Sequence, residues 1–247
     1  METGLPMLAA YSAYMYGKVP DKEKMEQVMK GLFGVSWDDF CLLDAFDHIP
    51  GTGEHNEKFA NPSKTIFYQD PLVGIFDRQF EDLELEGYYR DLAGRLENAE
   101  ERNGKMRGLF HYYRLLAAVD AAKSTLGTRI RSSYLKEDKE TLKKIASEEL
   151  PELIRIILEL KKEREQIWMK EYKPNGYEVL DIRISGVAAR LLSAKERIES
   201  WIEGKEGCLE ELEEERLIYL GEESGERRIP SCNLWENIVS ACNIKGV

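Results

Sequence analysis

One stripe constrains this chain more than any other feature: Leu180, Ile184, Val187, Leu191, Ala194, Ile198 and Trp201 follow one another at alternating steps of four and three. That spacing keeps all seven on one side of a helix, which then needs a partner surface along its whole length. Residues 177–203 therefore read as a single bundle helix, about 40 Å long. Residues 80–102, 105–134 and 138–172 also read as long helices, with a bend at Pro151 in the last. Short turns at 136–138 and 174–176 make neighbouring helices antiparallel.

Shorter elements precede these. Residues 5–16 form an apolar and aromatic helix that begins abruptly, as at a junction between domains. Pro20 and Asp21 open a helix that runs to residue 33, and Ser36 with Asp39 gives the S-x-x-D capping pattern for another at 37–46. Residues 48–63 read as a loop, and 64–76 as a compact aromatic segment preceded by Pro62 and interrupted by Pro71. After Gly204 the pattern weakens; the apolar stretch 217–220 is expected to pair with residues 233–241 as a short terminal hairpin. The fold class is all-α: an elongated bundle of long antiparallel helices with a smaller N-terminal helical cluster. The expected divisions are 1–77, 78–204 and 205–247.

Hydrophobic residues make up 43% of the 247, enough to fill a core, so disorder is excluded. The net charge of -11 repels polyphosphate and anionic lipid, which argues against nucleic acid and membrane surfaces as partners. No apolar run approaches the roughly 18–20 residues that span a bilayer. Cys41, Cys208, Cys232 and Cys242 lack the paired spacings of a zinc site or a disulfide framework and read as free thiols in a reducing, cytoplasmic setting.

Chemistry-bearing constellations are few. His48, His55 and His111 accompany no nucleophile elbow. Asp44 and His48 are four apart, but two ligands make no metal site, and the Glu-rich run near Glu213 lacks the alternating ligands of a calcium loop. Asp38, Asp39, Asp44, Asp47 and Asp70 are plentiful carboxylates that nothing in the sequence pairs for acid–base work. No cofactor, metal or catalytic residue is expected.

Two groups stand out. Asp120, Lys123, Arg129 and Arg131 on one helix face Asp181, Arg183 and Arg190 on another, which suggests a partly buried ionic layer. It reads as a network fixing helix register in preference to an anion or sugar site. Gly127 and Gly186 beside those charges permit close helix approach. The densest polar and aromatic patch is Asn61, Lys64, Tyr68, Gln69 and Asp70, the residue types that line sugar sites, although a proline-fixed turn packed on the bundle explains it too.

The stretches Asn61-Pro-Ser-Lys64, Tyr68-Gln-Asp-Pro71 and Gly74-Ile-Phe-Asp77, then Asp120-x-x-Lys123, Leu126-Gly-x-Arg129, Lys173-Pro-x-Gly176 and Asp181-Ile-Arg183 up to Gly186, resemble the region after the barrel in bacterial glycoside hydrolase family 20 β-N-acetylhexosaminidases with a helical C-terminal domain. Glu2 and Thr3 look like the tail of the segment closing that family's last barrel strand. The resemblance implies a non-catalytic domain that buttresses its own upstream barrel and supplies surface for a homodimer. Glycan substrate would be met only through the barrel. The family's catalytic Asp-Glu pair belongs to the barrel, and none of the stretches above contains it. A (β/α)8 barrel takes about 250 residues and cannot fit beside these helices. The resemblance further implies that residues 61–70 reach towards a sugar site. The competing reading is a free-standing helical protein-interaction module, and an independent enzyme ranks last.

Overall fold

The computed structural model describes residues 2–17, 19, 21–51, 60–219 and 238–243. The chain is all-α, as its periodicity predicts. Among the described residues no strand forms, and the β structure is limited to isolated bridge positions at Ala60 and between Ser240 and Asn243. Residues 217–219 form no strand, and the remainder of the expected hairpin, at 220 and 233–237, lies outside the described residues, as do His55 and Cys232.

The N-terminal cluster holds α1 (Leu5–Met15), α2 (Lys22–Phe33) and α3 (Trp37–Cys41). Asp21 caps α2 by accepting from the Lys24 amide at 2.8 Å. Ser36 stands at the N-cap as expected, but its side chain makes no capping bond: Glu26, on α2, accepts from the Trp37 amide at 2.6 Å and from the Ser36 hydroxyl at 3.4 Å. Asp39 is drawn instead to Arg102 at 2.6 Å and to Asn103 at 2.7 Å. The expected helix over 37–46 is also shorter, stopping at Cys41 before a 3-10 turn at Ala45–Asp47. The hydroxyls of Tyr88 and Tyr89 take the carbonyls of Ala45 and Phe46, at 2.7 and 2.8 Å, and fix that turn.

A further helix, α4 (Pro62–Tyr68), starts inside the expected loop, with proline in its first turn, where the missing N–H costs nothing. Next come the short α5 (Asp77–Phe80) and α6 (Leu85–Arg102); the helix expected over 80–102 ends where expected and starts at Leu85. The predicted helix over 105–134 is two: α7 (Arg107–Ser124) and α8 (Leu126–Leu135), broken at Thr125, whose hydroxyl donates to Glu86 at 3.2 Å. Then α9 (Lys139–Lys144) runs through a π turn at Ile145–Glu149 into α10 (Leu150–Glu171). Pro151 has no N–H for the carbonyl four residues back, and the wide turn just before it is the local relief of that loss. The longest helix is α11 (Tyr177–Ile202), and α12 (Glu210–Glu213) follows it.

Two apolar cores share α7. The first joins α2, α3 and α6 to one side of α7 through Met29, Phe40, Leu92, Leu96, Phe110 and Ala117. The second joins the other side, through Leu115 and Val119, to α8, α10 and α11. The α11 stripe supplies Ile184, Val187, Leu191, Ala194 and Ile198, all buried, while Ile182 and Leu192 beside it are exposed. Trp201, at the stripe's end, packs on Tyr134 with ring centroids 4.9 Å apart.

Candidate functional site

Residues 61–77 cross the boundary between the two cores. Their helix α4 is fastened to α7 at both ends. At the start, the Ser63 hydroxyl donates to Asp120 Oδ2 at 2.6 Å, and Asp120 is fully buried. Burial pushes the Asp120 carboxyl well above the carboxylate range, against the opposing pull of Ser63 and Lys123. At the end, Lys123 Nζ donates to the carbonyls of Phe67 and Gln69, at 2.5 and 2.9 Å. A cation set on the last carbonyls of a helix satisfies groups the helix leaves open and meets the negative end of its dipole. Burial lowers the Lys123 ammonium to about 8.

Beyond α4 the chain makes a tight polar loop. Gln69 uses both ends of its amide, donating to Asp77 Oδ1 at 2.6 Å and accepting from the Phe76 amide at 3.1 Å. Asp70 Oδ1 accepts from the amides of Leu72 and Val73, at 3.0 and 3.1 Å, and its Oδ2 accepts from Arg190 Nε at 2.6 Å. Asp77 and Arg216 form a buried pair at 3.3 Å, and Arg216 also donates to the carbonyls of Leu72 and Glu211, at 2.6 and 2.8 Å. Burial raises the Asp77 carboxyl and lowers the Arg216 guanidinium, each opposed by the partner's charge.

Between this loop, α11 and residues 238–241 lies a cleft of about 510 Å³. Tyr68, Phe76, Val187 and Ile238 wall it, Val73, Ile75, Ile182 and Val239 form an exposed apolar rim, and Lys123 and Arg190 supply its cations. Burial pushes the Tyr68 phenol up to about 12. The C-terminal residues sit tightly here: a Cβ on Gly186 would come within 2.8 Å of the Ala241 Cβ.

The structure thus gathers Tyr68, Gln69, Asp70 and Lys123 around one cleft. Lys64 stands half-buried on α4, and the Asn61 side-chain oxygen is buried with no hydrogen-bond partner among the described residues. The single ionic layer is corrected. Asp120 and Lys123 serve α4, Arg129 pairs with Glu149 at 2.7 Å, Asp181 pairs with Lys161 at 3.0 Å, and Arg183 stands half-buried on α11. The charges disperse because each meets a different partner. The two glycines admit chain segments, not helices. A Cβ on Gly127 would meet Asp77 Oδ1 at 3.1 Å and the Pro71 carbonyl at 3.2 Å. Arg216 and residues 238–241 are the parts that sequence reasoning missed; Gly186, against Ala241, was the signal for the second. Asp44 and His48 make a 3.4 Å contact at the surface.

A second polar centre lies on α6 and α7, away from the cleft. Glu100 is buried and accepts from Arg114 at 2.9 Å and from Arg107 at 3.3 Å, with His111 Nδ1 at 3.1 Å. Burial acts to raise its carboxyl, but the bonds from Arg114 and His111 outweigh it and hold Glu100 below the usual range. Among the described residues no helix is long and apolar enough to cross a membrane.

A family model described as the Glycoside Hydrolase 20C C-terminal domain matches residues 38–230. No curated protein matches the chain.

Proposed function

The chain belongs to the glycoside hydrolase 20C C-terminal domain family, and from that membership we propose that it is the non-catalytic structural and dimerisation domain of a β-N-acetylhexosaminidase removing terminal N-acetylhexosamine from glycans. One observation carries the docking part of the reading. In α1, Met7, Leu8, Tyr11, Tyr14 and Met15 are each more than half exposed, whereas Ala9 is buried and Leu5 and Ala10 pack partly against the core. An apolar face of this kind marks an interaction site, and for a C-terminal domain the natural cover is its own upstream barrel.

In this reading, residues 61–70 reach towards the sugar site of that barrel or of a dimer partner, with Tyr68 and Asp70 positioning the surface. The free thiols of Cys41, Cys208 and Cys242 support a reducing, cytoplasmic setting.

The test is made on the full enzyme. Leu8→Glu with Tyr11→Glu should detach the domain from the barrel, seen as faster proteolysis between them and loss of the dimer in sedimentation. Tyr68→Phe and Asp70→Asn should change turnover more than melting temperature. If the charged double variant keeps the assembly intact, the docking role is wrong and a free-standing interaction module takes its place. If the loop variants lose stability with normal kinetics, the loop has no part in the sugar site.

A further inference from the structure

The cleft beside α11 has a property that neither docking nor dimerisation uses. Its volume of about 510 Å³ equals on the order of fifteen waters at their liquid share, and each water needs two to four polar partners. The lining offers few free polar atoms, the two Nη atoms of Arg190 chief among them. Gln69 and Asp70 are held by the loop, and Lys123 is held by the carbonyls of Phe67 and Gln69. Most of the remaining lining is apolar, including Tyr68, Phe76, Val187 and Ile238, with Val73, Ile75, Ile182 and Val239 at the rim; Ser240 adds one hydroxyl. An apolar occupant releases poorly bonded water, and both size and chemistry fall in the range of small-molecule sites.

Charge fixes the other end of the occupant. Lys123 and Arg190 against Asp70 leave one net positive charge on the lining. Arg190 gives its Nε to Asp70, and among the described residues none bonds either of its Nη atoms. A guanidinium with two free donors in one plane is the preferred receptor for a carboxylate.

We propose that this cleft binds a small amphipathic monocarboxylate, its apolar body lying against Val73, Phe76, Ile182 and Val187 and its carboxylate on the free edge of Arg190. The site would give this domain a ligand of its own, distinct from the glycan of the parent enzyme. It is independent of the docking reading, because it can be tested on this chain without a barrel.

The full 247-residue chain is titrated with octanoate, below its micelle concentration, by calorimetry and by amide chemical shifts. Acetate supplies the head without the tail, and octan-1-ol the tail without the charge. Octanoate should bind at least about tenfold tighter than octan-1-ol, since a hydrogen bond to a charged group accounts for about that factor or more, and at least about tenfold tighter than acetate, since each buried CH2 contributes about 0.8 kcal/mol. Arg190→Gln should remove this advantage over octan-1-ol. Ala189→Trp, at an exposed position on the lining, should block both, with the far-ultraviolet circular dichroism of each variant unchanged. Octanoate binding no better than acetate, or binding indifferent to Ala189→Trp, overturns the site. Equal binding of octanoate and octan-1-ol, unchanged in Arg190→Gln, overturns the carboxylate assignment.

Discussion

Replacing Arg216 by alanine should cost this domain more than any substitution on its surface, and by an amount that depends on pH. The Arg216 and Asp77 side chains are 9% and 6% exposed. Removing the guanidinium strips Asp77 Oδ2 of its charged partner and leaves the carbonyls of Leu72 and Glu211 without their donor. Breaking a buried ion pair from one side costs about 3–5 kcal/mol, because the remaining charge stays buried and uncompensated. For a domain of this size that corresponds to roughly 6–20 °C in melting temperature.

The sign of the pH effect follows from Asp77. Burial already raises its folded pKa above the ordinary 3.8, and losing Arg216 raises it further. A carboxyl with a raised folded pKa favours the folded chain below its unfolded pKa, and that advantage is lost as pH rises through the folded value. The deficit of Arg216→Ala should therefore be largest at neutral pH and shrink on acidification towards about pH 4.5. Urea melts of wild type and variant at both pH values measure it. A deficit below about 1 kcal/mol, on the scale of an exposed pair, or one that does not change with pH, refutes the reasoning.

Three further outcomes test other parts of the structure. Ser63→Ala leaves buried Asp120 without its donor and should cost about 1–3 kcal/mol in urea unfolding, whereas Asp120→Asn, which keeps the carboxyl's neutral shape, should cost less. Leu191→Ala, at a fully buried position on the stripe, should cost about 2–5 kcal/mol, while Leu192→Ala, 47% exposed, should stay within about 0.5 kcal/mol; equal costs would mean that the stripe has been assigned to the wrong face. The folded pKa of Glu100 lies below its ordinary 4.5, so its contribution is present above that value and lost as pH falls through the folded pKa. Glu100→Gln should therefore flatten the acid limb of the stability profile, and an unchanged limb in circular-dichroism melts would exclude Glu100 as its source.

How much of this was legible in the sequence depends on how far each cause lies from its effect. The α11 stripe was legible because helical periodicity is local, and five of its seven positions are buried. The helix breaks were not. The cap at Trp37 comes from Glu26 on another helix, and the break at Thr125 involves Glu86. The site shows the same division. The cluster 61–70 was recognisable from its residue types, and Asp120 and Lys123 from their placement near apolar positions. That Lys123 closes α4 and that Arg216 clamps the following loop depend on contacts 54 and 139 positions apart in the chain, and no local pattern encodes them. Gly127 and Gly186 signalled close approach correctly, but a glycine does not specify what approaches.

The polar groups that make residues 61–70 look like a sugar site are, in the structure, turned inward. Both ends of the Gln69 amide and both oxygens of Asp70 are engaged within the domain. A glycan would have to displace these bonds to use them, at about 0.5–1.5 kcal/mol for each part-buried one lost. What the loop offers outward is Val73 and Ile75, 46% and 40% exposed. Gln69 and Asp70 therefore act by holding 71–76 in one shape. A surface locked in this way loses little conformational entropy when it docks. The same bonds that disqualify these side chains as glycan ligands hold Val73 and Ile75 as a rigid apolar rim of the cleft beside α11.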